Sequence, residues 1–295
     1  MYTPADIQQQ FDAATLAYLQ NKTRGGDSGQ KGTRYEDYFA VYKLTQLAQA
    51  ILETGLTAAF RSQILAFVDD LIIDIDAEPL QHYQLKNSPT VSWNAGDRPI
   101  QADFDKQQQL NQAQLNRESD LSLVVSDANC AKRLQNTMPG AIAPFSRVQY
   151  FPKPSPLLAW LEQVPEWKQA IVYLSAFDNP EPDKMEYVVK ALMGAWITCK
   201  TASALELLTI AQQQSPQYIR SFQTDLTLDV EVKTILGNIP DFRYSFSKGF
   251  LHWDYADGLI SGTPPYSADT DAFRRLQERI KERKPTTFEE LENLL

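Results

Sequence analysis

The chain is poor in the residues that several kinds of chemistry require. Two cysteines, Cys130 and Cys199, occur in 295 residues. They lie far apart in apolar-rich helical sequence and read as buried reduced thiols rather than a disulfide framework. The two histidines, His82 and His252, sit in regions away from the cysteines, which argues against a Cys/His zinc site. No apolar run approaches the ~18 residues of a membrane span. The start, Met1-Tyr2-Thr3-Pro4-Ala5-Asp6, lacks the basic and apolar stretches of a secretory signal, so a cytoplasmic location is expected. A Gly-x-x-x-x-Gly-Lys-Ser/Thr loop for ATP phosphates is absent, as is a Gly-x-Ser-x-Gly nucleophile turn. No tract is of low complexity.

What remains is an ordinary globular composition, 43% hydrophobic and 22% charged. A chain of this length can bury a sizeable core and is expected to hold two domains, residues 1–150 and 151–295. The net charge of −9 argues against a protein that coats nucleic acid with its whole surface. Positive charge is concentrated in two places. Lys22, Arg24, Lys31 and Arg34 stand against Asp27 alone in residues 21–34. Arg274, Arg275, Arg279, Lys281, Arg283 and Lys284 stand against Glu278 and Glu282 near the end. These are the stretches that would meet phosphates.

Apolar spacing predicts helices over residues 4–20 and 34–53, separated by a loop with Gly25, Gly26, Gly29 and Gly32. An apolar strand over residues 64–76, a turn carrying Pro79 and a return strand ending at Lys86 read as a hairpin. A Gln-rich helix over 104–118, a strand at 121–127 and a helix at 128–138 complete an α/β/α sandwich. Pro144, Pro152, Pro154 and Pro156 then punctuate a boundary near residues 140–156. Beyond it the pattern is mainly helical: 157–164, 167–177, 185–199, 202–213, a short helix opening at Ser215-Pro216, and 228–239. A hairpin, 242–247 with 250–255, follows in the order of a winged-helix module. A basic helix, 271–284, and an acidic one, 287–295, end the chain.

The hairpin carries the chemistry. Side chains alternate along a strand, so Gln84 and Lys86 share a face, and the fold-back brings Asp70 beside them. A carboxylate, an amide oxygen and an ammonium converging on one face can hold a divalent metal and orient a water against a phosphodiester. Asp69 points to the opposite face of a regular strand, and a bulge would exchange it with Asp70. The plain alternative is a solvated strand face of Asp69, Asp70, Asp74 and Asp76, with Lys86 at its edge. His82 reads as structural or surface. His252 reads as packing or a partner contact.

The run Arg24-Gly25-Gly26, Gly32-Thr33-Arg34-Tyr35-Glu36, Asp69-Asp70 and Gln84-Leu85-Lys86 resembles the effector nuclease domain of bacterial anti-phage systems, the CBASS-associated and Lamassu-type nucleases of the PD-(D/E)XK superfamily. The resemblance covers roughly residues 20–150 and implies a restriction-endonuclease-like domain. It implies that Asp70 is the metal-ligating acid, Gln84 a neutral ligand in the second acidic place, and the Leu85 carbonyl a further oxygen. Lys86 would orient the attacking water, and Glu36 would be a supporting helical acid. Arg24, Lys31 and Arg34 are the expected DNA contacts, and Mg²⁺ or Mn²⁺ the expected cofactor. The implied activity is metal-dependent cleavage of double-stranded DNA. The mostly helical second half would dock on sensor subunits such as an SMC-type ATPase, with self-association when active and no membrane partner. The rival expectation is a non-catalytic interaction subunit that keeps a nuclease-like fold as scaffold, which Gln84 in an acidic place favours.

Overall fold

The computed structural model describes residues 1–25, 30–152, 156–223 and 226–295, with the side chains of 24, 25 and 30–33 outside it. In chain order it contains α1 (Pro4–Gln10), α2 (Ala13–Gly25), α3 (Gln30–Thr54), β1 (Ala58–Arg61), β2 (Leu71–Ile75), β3 (Leu80–Lys86), α4 (Ile100–Leu115), β4 (Ser119–Val125), α5 (Ala128–Asn136) and β5 (Ser146–Tyr150). There follow α6 (Leu157–Gln163), α7 (Pro165–Leu174), α8 (Pro182–Thr198), β6 (Thr201–Ser203), α9 (Ala204–Gln214), α10 (Val230–Gly237), β7 (Phe242–Ser247), β8 (Phe250–Tyr255), β9 (Ile260–Gly262), α11 (Asp271–Arg283) and α12 (Phe288–Glu292). Two compact units emerge: residues 1–167 with 192–208, and residues 168–191 with 209–295. Among the described residues no helix is long and apolar enough to cross a membrane.

The first unit is α/β. β2 and β3 form the expected antiparallel hairpin, with Leu71 opposite Tyr83 and Ile73 opposite Gln81. Ala77 takes the left-handed conformation at the turn, φ 63°. β4 and β5 add in parallel beyond β3, whereas β1 and β6 add antiparallel beyond β2. The result is a mixed sheet in the order β5-β4-β3-β2-β1-β6. Burial follows strand alternation on both faces. On one face Ile72 and Leu80 pack with Ile7, Leu19, Phe67 and Leu110 from α1, α2, α4 and the loop before β2. Leu121, Leu123 and Val125 pack with Trp93, Phe104, Cys130 and Leu134. On the other face Phe39 of α3 meets Tyr83 edge-on at 5.2 Å and Phe151 at 5.2 Å. Trp160 and Trp167, fully buried, extend this aromatic layer through Phe151. Each such side chain removes 150–250 Å² from water by general experience, about 3–5 kcal/mol if truncated to Ala.

One expected strand is shorter than its sequence suggests. The run Ile64–Val68 is apolar, yet the ladder begins only at Leu71. The amides of Phe67 and Val68 donate to the buried Gln107 side-chain oxygen, at 2.8 and 3.2 Å, instead of to a neighbouring strand. Gln63 takes φ 53° and its amide closes on the Asp69 carbonyl at 2.8 Å. The apolar run is therefore a core-filling loop that delivers Asp69 and Asp70 to the start of β2. The strand β1 has an Ala-Ala-Phe-Arg sequence with little β-propensity, which hid it from periodicity.

The second unit builds a separate core. β7, β8 and β9 form an antiparallel sheet, joined between β7 and β8 by Lys248-Gly249, both at positive φ as a two-residue primed turn requires. Helices α10, α11 and α12 supply Val232, Leu236, Phe273, Leu276, Ile280, Phe288 and Leu291 against Phe242 and Leu251. The apolar stripe of α11 faces inward while Arg274 stays exposed beside Asp271. Residues 215–219 form a turn, with Tyr218 N–H on the Ser215 carbonyl at 3.0 Å, where a helix was expected.

Candidate active site

Because Leu71 pairs with Tyr83, Asp70 stands opposite Gln84 just before β2 begins. The two side chains meet: the Gln84 amide nitrogen donates to Asp70 Oδ2. The Leu85 backbone N–H donates to the same oxygen at 2.6 Å. Asp70 is thus anchored by two N–H groups, and its backbone carbonyl accepts from Ser62 Oγ at 2.9 Å.

Asp69, its neighbour, is buried and faces a different partner. The Lys22 ammonium lies 3.0 Å from Asp69 Oδ1, an ion pair without hydrogen-bond alignment. Lys22 also donates to Gln84 Oε1 at 3.2 Å and to the Phe67 carbonyl, and stands 3.8 Å from Asp103 Oδ2. Behind it Tyr18 OH donates to Asp103 Oδ2 at 2.9 Å. Burial disfavours the Lys22 ammonium, but Asp69, Asp103 and Asp70 outweigh it and raise the lysine above its usual range. Burial is also the main reason the Asp69 carboxyl is pushed up to about 6; Lys22 opposes that rise and Asp70 adds to it.

Glu36 comes from the first half of α3. Its carboxyl is pushed up to about 8, first by burial, then by the charges of Asp70 and Asp37; Lys86 and Lys200 pull the other way. Asp37 itself is held by the Trp196 indole N–H at 3.0 Å and by Lys200. Lys86, at the end of β3, is half-buried and makes no ion pair with the described residues. So Asp70, Gln84, Leu85, Lys86 and Glu36 come together. Arg34 is exposed, with its guanidinium 5.7 Å from the Tyr38 ring centre. The side chains of Arg24 and Lys31 lie outside the described residues.

One feature escaped the sequence reading. Lys22 counted there as a phosphate-facing charge, whereas its ammonium points into the protein. The signal was present: Thr15 and Leu19 are buried, and Lys22 continues their i, i+4, i+7 stripe. His82, in contrast, is structural as one expected alternative had it. It is fully buried, with Nδ1 at 2.8 Å from the Val68 carbonyl and Nε2 at 3.2 Å from Asn111, and burial pushes it down to about 4.

The donor set fits a hard divalent cation that keeps most of its water. After burial, the charge of Asp70 is the next cause that pushes the Glu36 carboxyl up, a repulsion that a cation bound between the two would relieve. Among the described residues no cluster of three Asp, Glu, His or Cys gathers to enclose a metal. The Gln84 oxygen accepts from Lys22 at 3.2 Å while its nitrogen faces Asp70. The class of protein these features define is an α/β fold with an acid–lysine cluster beside a central hairpin. Compared with known proteins, the chain matches no family model, no curated protein and no solved structure.

Proposed function

We propose that this cluster cleaves phosphodiesters with a divalent metal on a restriction-endonuclease-like domain, and that the chain is a DNA endonuclease effector of a bacterial anti-phage system. The observation that carries the reading is the convergence at the end of the hairpin of Asp70, anchored by the Gln84 amide and the Leu85 N–H, with Lys86, which makes no ion pair among the described residues, and with Glu36, whose carboxyl is pushed up by burial and by the charge of Asp70. Asp70 and Glu36 would hold Mg²⁺ or Mn²⁺, which supplies Lewis-acid polarisation of the phosphate and a more acidic bound water. Lys86 orients the attacking water and neutralises charge that develops on the phosphate. Gln84 and the Leu85 amide keep Asp70 fixed, so that its other oxygen is free to face the reaction. Arg34, Arg24 and Lys31 precede or open the helix that carries Glu36 and are the proposed backbone contacts to double-stranded DNA. The second unit is proposed to dock on sensor subunits such as an SMC-type ATPase, with self-association accompanying activity.

A second reading has its own observation. The amide oxygen of Gln84 is taken by Lys22 and no three-acid cluster forms among the described residues, as in a nuclease-like scaffold that only binds partners. Incubating supercoiled plasmid with the purified chain separates the two. The nuclease reading expects nicking in Mg²⁺ or Mn²⁺ that EDTA stops. No cleavage in either metal, including at concentrations that drive self-association, supports the scaffold.

A further inference from the structure

We infer that Lys22 is a positioning residue that sets the amide of Gln84, and through it the carboxylate of Asp70. Its effect on cleavage rests on the nuclease reading above; the amide orientation itself does not.

An ammonium offers donors only. Every group that faces Lys22 must therefore present an oxygen, and four do: the Phe67 carbonyl, Asp69 Oδ1 at 3.0 Å, Gln84 Oε1 at 3.2 Å and, further off, Asp103 Oδ2 at 3.8 Å. Gln84 is 4% exposed, so the partners of its own amide come from the protein. With its oxygen held by Lys22, the amide must turn its nitrogen the other way, where it meets Asp70 Oδ2. The flipped amide would set N–H against the ammonium and a carbonyl against the carboxylate. Two charge-assisted hydrogen bonds would become two repulsive contacts. Lys22 is in turn held in place from behind by Asp103, which Tyr18 fixes, with Arg98 stacked 3.7 Å over the Tyr18 ring.

This arrangement gives a reason for glutamine at position 84. The side chain there must accept from a cation on one side and donate to a carboxylate on the other. An amide does both, whereas a carboxylate at 84 would accept from Lys22 but repel Asp70. Position 84 and Lys22 therefore act as one unit: a fixed cation whose orientation is relayed as an N–H aimed at Asp70.

The test uses the full-length chain and two readouts. In ¹⁵N-labelled protein the Gln84 side-chain N–H that bonds Asp70 should be shifted downfield and slow to exchange with solvent. Lys22→Met should abolish that signature and Lys22→Arg should keep it. Lys22→Met also strands the buried Asp69, so a fold defect is controlled by combining it with Asp69→Asn. The double variant should still lack the signature, and Asp69→Asn alone should keep it. For cleavage, the double variant should lose kcat on the order of 10²-fold through misplacement of Asp70, with KM for DNA little changed. An unaltered Gln84 signature in the double variant overturns the inference. Loss of the signature together with a wild-type chain that never cleaves would sustain the inference and overturn the nuclease reading.

Discussion

Asp70 and Lys86 should separate catalysis from stability in opposite ways. Asp70 Oδ2 accepts from both the Gln84 amide and the Leu85 N–H, and Leu85 is a buried residue. A hydrogen bond to a charged group contributes about 1.5–3 kcal/mol, and two that share one oxygen are not additive. Asp70→Ala also relieves repulsion on Glu36 and Asp69. The net cost should therefore be roughly 2 kcal/mol, which lowers Tm by about 4–8 °C in a unit of this size. Lys86 makes no ion pair with the described residues, so Lys86→Ala should stay within about 0.5 kcal/mol of wild type. Both variants should lose cleavage by at least ~10²-fold. Thermal melts and plasmid cleavage on the same preparations measure both effects. An Asp70→Ala protein as stable as wild type would refute the anchoring of that carboxylate. A Lys86→Ala protein that cleaves normally would refute the role of the lysine.

Stability should fall as pH rises from about 6.5 to 8, because the folded chain keeps a proton on Glu36 that the unfolded chain has lost, with a folded value of about 8 against 4.5. His82, about 4 against 6.5, works the other way below that window, where the folded state binds fewer protons and stability rises with pH. Glu36→Gln should flatten the fall in Tm between pH 6.5 and 8, and a wild-type Tm that climbs across that range would contradict the assignment. Neutralising Arg274, Arg275 and Arg279 should weaken capture of sensor subunits in a pull-down while cleavage by the free chain persists. Loss of DNA binding in that variant, measured by titration across salt concentrations, would instead place the DNA contact on α11.

The hairpin was legible in the sequence because its apolar alternation, the turn with Pro79 and the close spacing of Asp70 and Gln84 all agree. Most helices were legible from apolar periodicity and stops such as Gly55, but the stretch 4–20, expected as one helix, is the two helices α1 and α2. What was not legible depended on side chains distant in sequence. Ile64–Val68 looks like a strand until Gln107, about forty residues on, satisfies two of its amides. Strands β1, β5 and β6 are short or half-exposed, too weak in pattern to stand out. Gln84 stood out in the sequence but its contacts did not: Lys22 holds its oxygen, and the charge of Lys22 suggested surface although its helical register points inward.

The most direct measurement is anomalous diffraction from crystals of the chain soaked in Mn²⁺ with a duplex DNA oligonucleotide. The account predicts a peak within coordinating reach of the Asp70 and Glu36 carboxylates, with a phosphate beside it and the Lys86 ammonium facing that phosphate. Manganese bound elsewhere, with none between Asp70 and Glu36 under conditions that support cleavage, would contradict it.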